Sequence, residues 1–215
     1  DIAGLTEEFN GMLDRLQEAF DGQTQFVLRA HQEISGPLAV MDARLASQPA
    51  TRTVRQQRNQ IAELQRVLND LQSLTQAERR DFAHLTPDVE VSELARTLCD
   101  DVESMAPGRW SFDLRARGTA TLDVERLRQA TGHLARNGLQ HGDGPLTLTV
   151  APGTDGYGRS GLEISMTDRG PGLSDDDVDW LFERFTHGEA DGKPRGSGLG
   201  LAIVRAIADA HDGTV

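Results

Sequence analysis

One cysteine in 215 residues, Cys99, rules out an internal disulfide and fits a reducing compartment. Cys99 sits in Leu94-Ala95-Arg96-Thr97-Leu98-Cys99, where a core-facing helical thiol is expected. No apolar run approaches the roughly 20 residues of a membrane span, and no signal peptide is visible. An excess of positive charge is also missing. The net charge of -12 gives the chain no general attraction to nucleic acid or anionic lipid, so small ligands and proteins with basic patches are the expected partners. Apolar residues make up only 37% of the chain, low for one compact body. That composition suits a globular part joined to a long, solvent-washed helical part. No internal repeat is evident.

What is present begins with helix. No proline interrupts the chain before Pro37, and Leu5, Phe9, Met12, Leu13, Leu16 and Phe20 recur at helical steps. A second stripe runs Phe26, Leu28, Ile34, Leu38, Met41, Leu45, with Pro37 expected to kink the helix. Ser47-Gln48-Pro49-Ala50-Thr51 should break it. Ile61, Leu64, Leu68 and Leu71 then repeat at coiled-coil spacing. The two helices form an antiparallel hairpin whose narrow apolar seam cannot bury itself, and pairing two copies into a four-helix bundle would bury it. A homodimer is therefore expected. Thr86-Pro87-Asp88 is the expected boundary with a mixed α/β domain.

In that domain a helix is expected from Val91 to about Met105 and strands at Trp110–Leu114, Leu146–Val150 and Leu162–Met166. Asp123 reads as the N-cap of a helix running through Leu127, Leu134 and Leu139. Ser174 opens an acidic helix to Phe185, and a polar loop of 186–197 reads as a lid or as a disordered segment. A last helix should start at Gly198 and end near His211.

Three features point to a nucleotide. Asp168-Arg169-Gly170-Pro171-Gly172 follows a strand, and its carboxylate could accept a hydrogen bond from an exocyclic amine of adenine. Gly196-Ser197-Gly198-Leu199-Gly200 opens a helix, so side chains are missing where backbone N–H groups must approach phosphate. Lys193 and Arg195 stand nearby to meet phosphate charge. Asn137, within an apolar helical run, could offer its carbonyl to a magnesium ion shared with phosphates. Each alone has a bland reading: a turn aspartate, a common glycine turn, a satisfied helical asparagine. Their order makes coincidence improbable. No Gly-Lys-Ser/Thr follows the glycines, which excludes a Walker loop, and no strand precedes them, which excludes a dinucleotide fingerprint.

On these motifs residues 88–215 resemble the catalytic ATP-binding domain of sensor histidine kinases, within the larger group shared with gyrase and mismatch-repair ATPases. His133-Leu134-Ala135-Arg136-Asn137-Gly138-Leu139-Gln140-His141 resembles the N-box, Asp168 to Gly172 the first glycine box, Leu181-Phe182-Glu183-Arg184-Phe185 the F-box, and Gly196 to Gly200 the second glycine box. The resemblance implies an α-helical hairpin, a four-helix bundle as dimer, followed by an α/β sandwich of the histidine kinase/gyrase type. It implies ATP and Mg2+ as cofactors. Asn137 would hold the metal, and Asp168, Gly170, Gly172, Lys193, Arg195, Gly196, Gly198, Leu199 and Gly200 would hold the nucleotide. His133 stands where many members carry Asn. A hydrolytic gyrase-type ATPase would need Glu at that position, which argues against fast hydrolysis.

Phe26 to Leu38 resembles the family's phosphoacceptor box, and Phe26, Glu33, Ile34, Pro37 and Leu38 share one register. In that register the acceptor position is Gln32, with Glu33 placed to handle the proton and His31 one position early. A glutamine amide is not a competent nucleophile, and one helical step turns a side chain by about 100°. Three readings stay open: a substituted acceptor His, a naturally degenerate kinase acting as a signalling scaffold, or a shifted register in which His31 is the acceptor. The position four residues after the acceptor, a Thr or Asn in phosphatase-competent members, is Gly36, which lowers the expectation of phosphatase activity.

Leu5 to Leu16 resembles the end of a HAMP linker. The resemblance implies domains at 1–21 (HAMP end), 22–86 (dimerisation and phosphoacceptor hairpin) and 87–215 (catalytic domain, C-terminally incomplete). It also implies a response-regulator receiver domain as partner, no nucleic acid, and a cytoplasmic portion of a bacterial inner-membrane sensor, tied to the membrane only through an upstream transmembrane region.

Overall fold

The computed structural model describes residues 2–77, 79, 82–142, 144–154, 158–170, 172, 180–183 and 197–215, with side chains from residue 24 onward. The chain divides into two compact units, Asp1–Gln76 and Ala77–Val215. The division falls before Thr86-Pro87-Asp88 because the intervening segment packs with the second unit. There Phe82 is buried under the guanidinium of Arg126, 4.0 Å from its ring, and the His84 amide donates to Asp123 Oδ2 at 2.8 Å.

The first unit is a helical hairpin of α1 (Ile2–Ala46) and α2 (Arg52–Ala77). The break falls where Ser47 to Thr51 place it, and the Thr51 hydroxyl accepts from the Val54 amide at 3.2 Å to cap α2. Helix α1 continues through Pro37. Its apolar residues occupy two faces rather than the one stripe expected. Leu38 is buried and Leu28 and Leu45 half-buried, whereas Phe26, Ile34, Val40 and Met41 are exposed, Phe26 at 72%. On α2, Val54, Ile61 and Leu74 are buried and Leu64 is exposed. A single neighbouring helix can cover only about one apolar face, so the second face stays open in the isolated chain.

The second unit is an α/β sandwich. Its elements are β1 (Thr86–Glu90), α3 (Val91–Met105), β2 (Trp110–Leu114), β3 (Thr119–Leu122), α4 (Val124–His141), β4 (Leu146–Thr154), β5 (Ser160–Thr167) and α5 (Gly200–Asp209). Strands run β2-β4-β5, with β2 parallel and β5 antiparallel to the central β4, and β1 pairs antiparallel with β3. Leu146, Leu148 and Val150 alternate inward on β4, and Leu148 and Val150 share one core with Leu94, Leu98 and Val102 of α3, all at most 2% exposed. Ala135 of α4 is fully buried in the same core. Cys99 packs against this core half-buried, and burial pushes its thiol up, away from the reactive thiolate.

Two strands lie where no strand was expected. In β1 the Pro87-Asp88 turn signal is real but local: Asp88 adopts φ +57 and the pairing register shifts between Thr86 and Val89. The turn residues make an irregularity inside an edge strand instead of a boundary. Strand β4 also runs beyond Val150, because Ala151 to Thr154 pair with Ser160 to Glu163 as a hairpin. The last helix begins at Gly200, after Gly198 and Leu199. The helix expected from Ser174 to Phe185 lies almost wholly outside the described residues.

Candidate nucleotide site

Helix α4 organises the site. The side chain of Asp123 accepts from the Arg126 amide at 3.0 Å, capping its first turn as expected. Ala130, Thr131, His133, Ala135 and Gly138 are buried, which fixes the helix rotation and leaves Asn137 exposed. His133, Asn137 and His141 are spaced by four, so they share one stripe, each about 6 Å along the axis from the next.

Each end of that stripe touches one glycine cluster. His133 meets the start of α5: a β-carbon on Gly200 would lie 3.0 Å from His133 Nδ1. At the other end, a β-carbon on Gly170 would lie 3.0 Å from the His141 carbonyl oxygen and 2.8 Å from Asp168 Oδ1. A β-carbon on Gly142 would lie 2.5 Å from Asp168 Cβ. Asn137 thus stands one helical turn from the phosphate-type glycine turn and one turn from Asp168.

Asp168 is exposed just beyond β5, and its Oδ1 accepts from the Gly170 amide at 2.6 Å, an Asx turn that aims the carboxylate. Oδ2 has no partner among the described residues, which leaves its acceptor capacity unused. Gly172 and Gly198 hold φ +76 and +67, left-handed conformations that a side chain would strain. Leu199 is 1% exposed, so its side chain anchors the turn in the core and only its backbone is available to a ligand. The Ser197 hydroxyl accepts from the Leu199 amide at 3.4 Å. The following amides open α5, where the helix dipole favours an anion. Lys193, Arg195 and Gly196 lie outside the described residues.

On the hairpin, Gln32 and Glu33 are exposed. His31 is half-buried and turned toward α2, with Nε2 3.0 Å from Asn69 Oδ1 and 3.4 Å from the Ser35 hydroxyl. Adjacent positions therefore face different surroundings, and Gln32 is the one offered to solvent.

Two structural roles escape sequence reasoning. Gly142 is the point of closest approach between α4 and Asp168, hidden in a run, His141-Gly142-Asp143-Gly144, that reads as an ordinary turn. His211 bonds the backbone of Asp123 across 88 residues, a contact without a local signature. A separate concavity of about 600 Å³ lies on another face of α4, lined by Leu127, Thr131, Leu162, Val204 and Ile207. None of Asn137, Asp168 or Gly170 lines it, and its mainly apolar wall does not suit a triphosphate.

Residues 122–215 match the family described as histidine kinase-, DNA gyrase B-, and HSP90-like ATPase. The signal transduction histidine-protein kinase BaeS of Escherichia coli K12 is 27% identical over 226 residues, covering all of this chain and 48% of that protein. The sensor-like histidine kinase SenX3 of Mycobacterium tuberculosis H37Rv is 30% identical over 210 residues, covering 88% of this chain and 49% of its own length. The chain thus spans about half the length of the curated relatives it matches. Full-length ShkA, solved in complex with AMPPNP, superposes with a TM-score of 0.66 at 24% identity over 86% of this chain and 41% of that one. The histidine kinase AdeS of Acinetobacter baumannii gives a TM-score of 0.53 at 20% identity over 83% and 86% of the two chains. Those two likenesses establish the shared fold, a helical region followed by an α/β ATPase-type domain. Residues 122–215 thus carry the ATPase domain of this family over the site just described, and along its whole length the chain is similar to sensor histidine kinases of two-component systems.

Proposed function

We propose that this chain is the kinase core of a two-component sensor, binding ATP with Mg2+ in the α/β unit. The observation that carries this reading is the stripe on α4, which sets Asn137 one turn from each glycine cluster. Asp168 reads adenine through Oδ2. The amides opening α5 receive phosphate, and the Asn137 amide oxygen supplies one hard ligand to a magnesium ion otherwise held by phosphate and water. The residues fit that ion: Asn137 is exposed one helical turn from the glycine turn that opens α5, and magnesium prefers oxygen with few protein ligands. Lys193, Arg195 and Gly196 complete the phosphate side in this reading. Positioning and charge neutralisation then account for most of the catalysis.

The phosphoryl group is destined for residue 32 of the hairpin, and from there for an aspartate on a response-regulator receiver domain. The exposed face bearing Phe26, Ile34, Val40, Met41 and Leu64 supports a homodimeric four-helix bundle, since burying such a face is worth about 25 cal/mol per Å². A HAMP linker end at Leu5 to Leu16, on the likeness of those residues, would place the core on the cytoplasmic side of a membrane sensor. No described helix is long and apolar enough to cross a membrane.

With Gln32 in place the chain binds nucleotide but accepts no phosphoryl group. The Gln32→His variant restores the step. Its imidazole nitrogen attacks the γ-phosphorus, the bond to the bridging oxygen breaks, ADP leaves, and Glu33 takes the ring proton. Radiolabelled ATP tests this. Acid-labile, base-stable label should appear on Gln32→His and not on the chain with glutamine, with His31→Ala silent in both backgrounds. Label on the glutamine chain that disappears with His31→Ala would move the acceptor to His31. Nucleotide binding with no label on either chain would favour the scaffold reading, and ATP turnover without phosphoprotein would favour a hydrolytic ATPase.

A further inference from the structure

Helices α4 and α5 run antiparallel and are fastened at two points. One is the packing of Gly200 on His133, at the nucleotide end. The other lies at the far end, where the Asp123 amide donates to His211 Nε2 at 3.0 Å and His211 Nδ1 donates to the Ile207 carbonyl oxygen at 2.7 Å. The two fastenings are about 15 Å apart along α4 and about 16 Å along α5, so the helices are pinned in register over their shared length. Between these points α5 presents the buried apolar side chains of Ile203, Val204 and Ile207, and Val204 and Ile207 line the concavity shared with α4, so apolar packing there fixes register weakly.

The partners of His211 dictate its proton. A backbone N–H can only donate and a carbonyl can only accept, so Nε2 carries a lone pair and Nδ1 carries the hydrogen. The ring in this junction is the neutral Nδ1–H tautomer. Adding a proton at Nε2 would set two donors against each other about 3 Å apart. Both oxygens of Asp123 are already engaged, Oδ1 by the Arg126 amide and Oδ2 by the His84 amide. The other ionisable groups around the ring are Asp209 and Asp212, both exposed, and Glu163 and Arg159, which line the same trough; the Arg159 guanidinium donates to the Asp212 carbonyl oxygen at 3.3 Å. The carboxylates would attract a charged ring and Arg159 would repel it, but none of them removes the clash with the fixed Asp123 donor.

We propose that His211 is a positioning residue for nucleotide binding: its neutral ring locks α5 to the N-cap of α4, and breaking that lock, by substitution or by protonation, lets the α5 amides and Asn137 drift apart and weakens affinity. The proposal rests on the nucleotide reading above. Small displacements matter because amide and metal ligand must serve one triphosphate together.

Calorimetric titration with Mg·AMPPNP at about pH 8 and at about pH 5.5 tests it. The wild-type affinity should fall about fivefold more than that of His211→Gln, whose amide can accept from Asp123 at either pH. The glutamine variant also reports the nucleotide's own protonation, which both proteins share. His211→Ala should bind about fivefold more weakly than wild type already at pH 8. Nitrogen chemical shifts of the His211 ring give a readout independent of any variant's folding, and should report the Nδ1–H tautomer at pH 8. An Nε2–H tautomer, or identical pH profiles for wild type and His211→Gln, would overturn the proposal. Absence of binding by the wild type at every pH would instead overturn the nucleotide reading.

Discussion

Replacing Asp168 by Ala should weaken nucleotide binding by about 30- to 150-fold in affinity while leaving the fold standing. The carboxylate is exposed, so little core energy depends on it. Its one structural bond, to the Gly170 amide, is worth about 1 kcal/mol in a solvated turn. Its bond to a ligand amine would be different in kind. It is charged, aimed by the Asx turn, and dehydrated once the base is in place, which puts it at about 2–3 kcal/mol. Displacement of a fluorescent ATP analogue reads the affinity, and a thermal melt of the same protein reads the fold. Asp168→Asn should lie between, because an amide oxygen can accept from Gly170 without the charge. Adenine discrimination should fall with it, so ATP and GTP should compete nearly equally for what binding remains. Unchanged ATP affinity in Asp168→Ala would remove adenine from this end of the site.

Gly142→Ala should disable the site from behind, with the larger cost in stability. At φ −86 the backbone tolerates alanine, so the effect is purely spatial. The added methyl would lie 2.5 Å from Asp168 Cβ, 2.6 Å from the Gly138 carbonyl oxygen and 2.8 Å from Asp168 Cγ. None of these is the far end of a flexible chain, so α4 and the Asp168 turn must separate by several tenths of an ångström. Overpacking of this kind costs about 1–3 kcal/mol. It also moves Asp168 relative to Asn137, so nucleotide affinity should fall by at least about tenfold. The internal control is Gly132→Ala on the same helix, where the new methyl finds only ordinary contact with the Arg136 guanidinium, at 3.5 Å. That change should stabilise the helix by about 0.5–1 kcal/mol through reduced chain entropy. Urea unfolding of the two variants therefore moves in opposite directions. A shift of the same sign for both would show that Gly142 is not in close contact with the Asp168 turn.

Much of this was legible before any coordinates, and the reasons differ by element. Helices α3 and α4 carry regular apolar spacing, and α4 also carries its own start signal in Asp123, so their existence and limits could be read. Strands β2, β4 and β5 alternate apolar and polar residues in sequence, and on β4 that alternation is the buried face of Leu146, Leu148 and Val150. Strands β1 and β3 could not be read, because short edge strands with Pro87, Asp88 and threonines have a polar composition that also describes a loop. The two faces of α1 were merged into one stripe, since helical periodicity counts apolar residues without saying which neighbour covers them. Asn137, Asp168 and the late glycines were legible as types of residue suited to a nucleotide. Their proximity was not, because it depends on His133 meeting Gly200 and His141 meeting Gly170, contacts between residues far apart in sequence. Gly142 and His211 stayed hidden for the same reason: each acts on a partner that no local pattern announces.

One ligand should unite Asn137, Asp168 and the turn that opens α5. Isotope-labelled amide spectra recorded while Mg·AMPPNP is added test that most directly. The Asn137 side-chain amide and the backbone amides of Asp168, Gly170, Gly198 and Gly200 should all shift along a single shared isotherm, and the residues lining the apolar trough, Leu127 and Leu162 among them, should move little. Separate isotherms for the two glycine clusters, or a response centred on the trough with Asn137 and Asp168 unmoved, would contradict it.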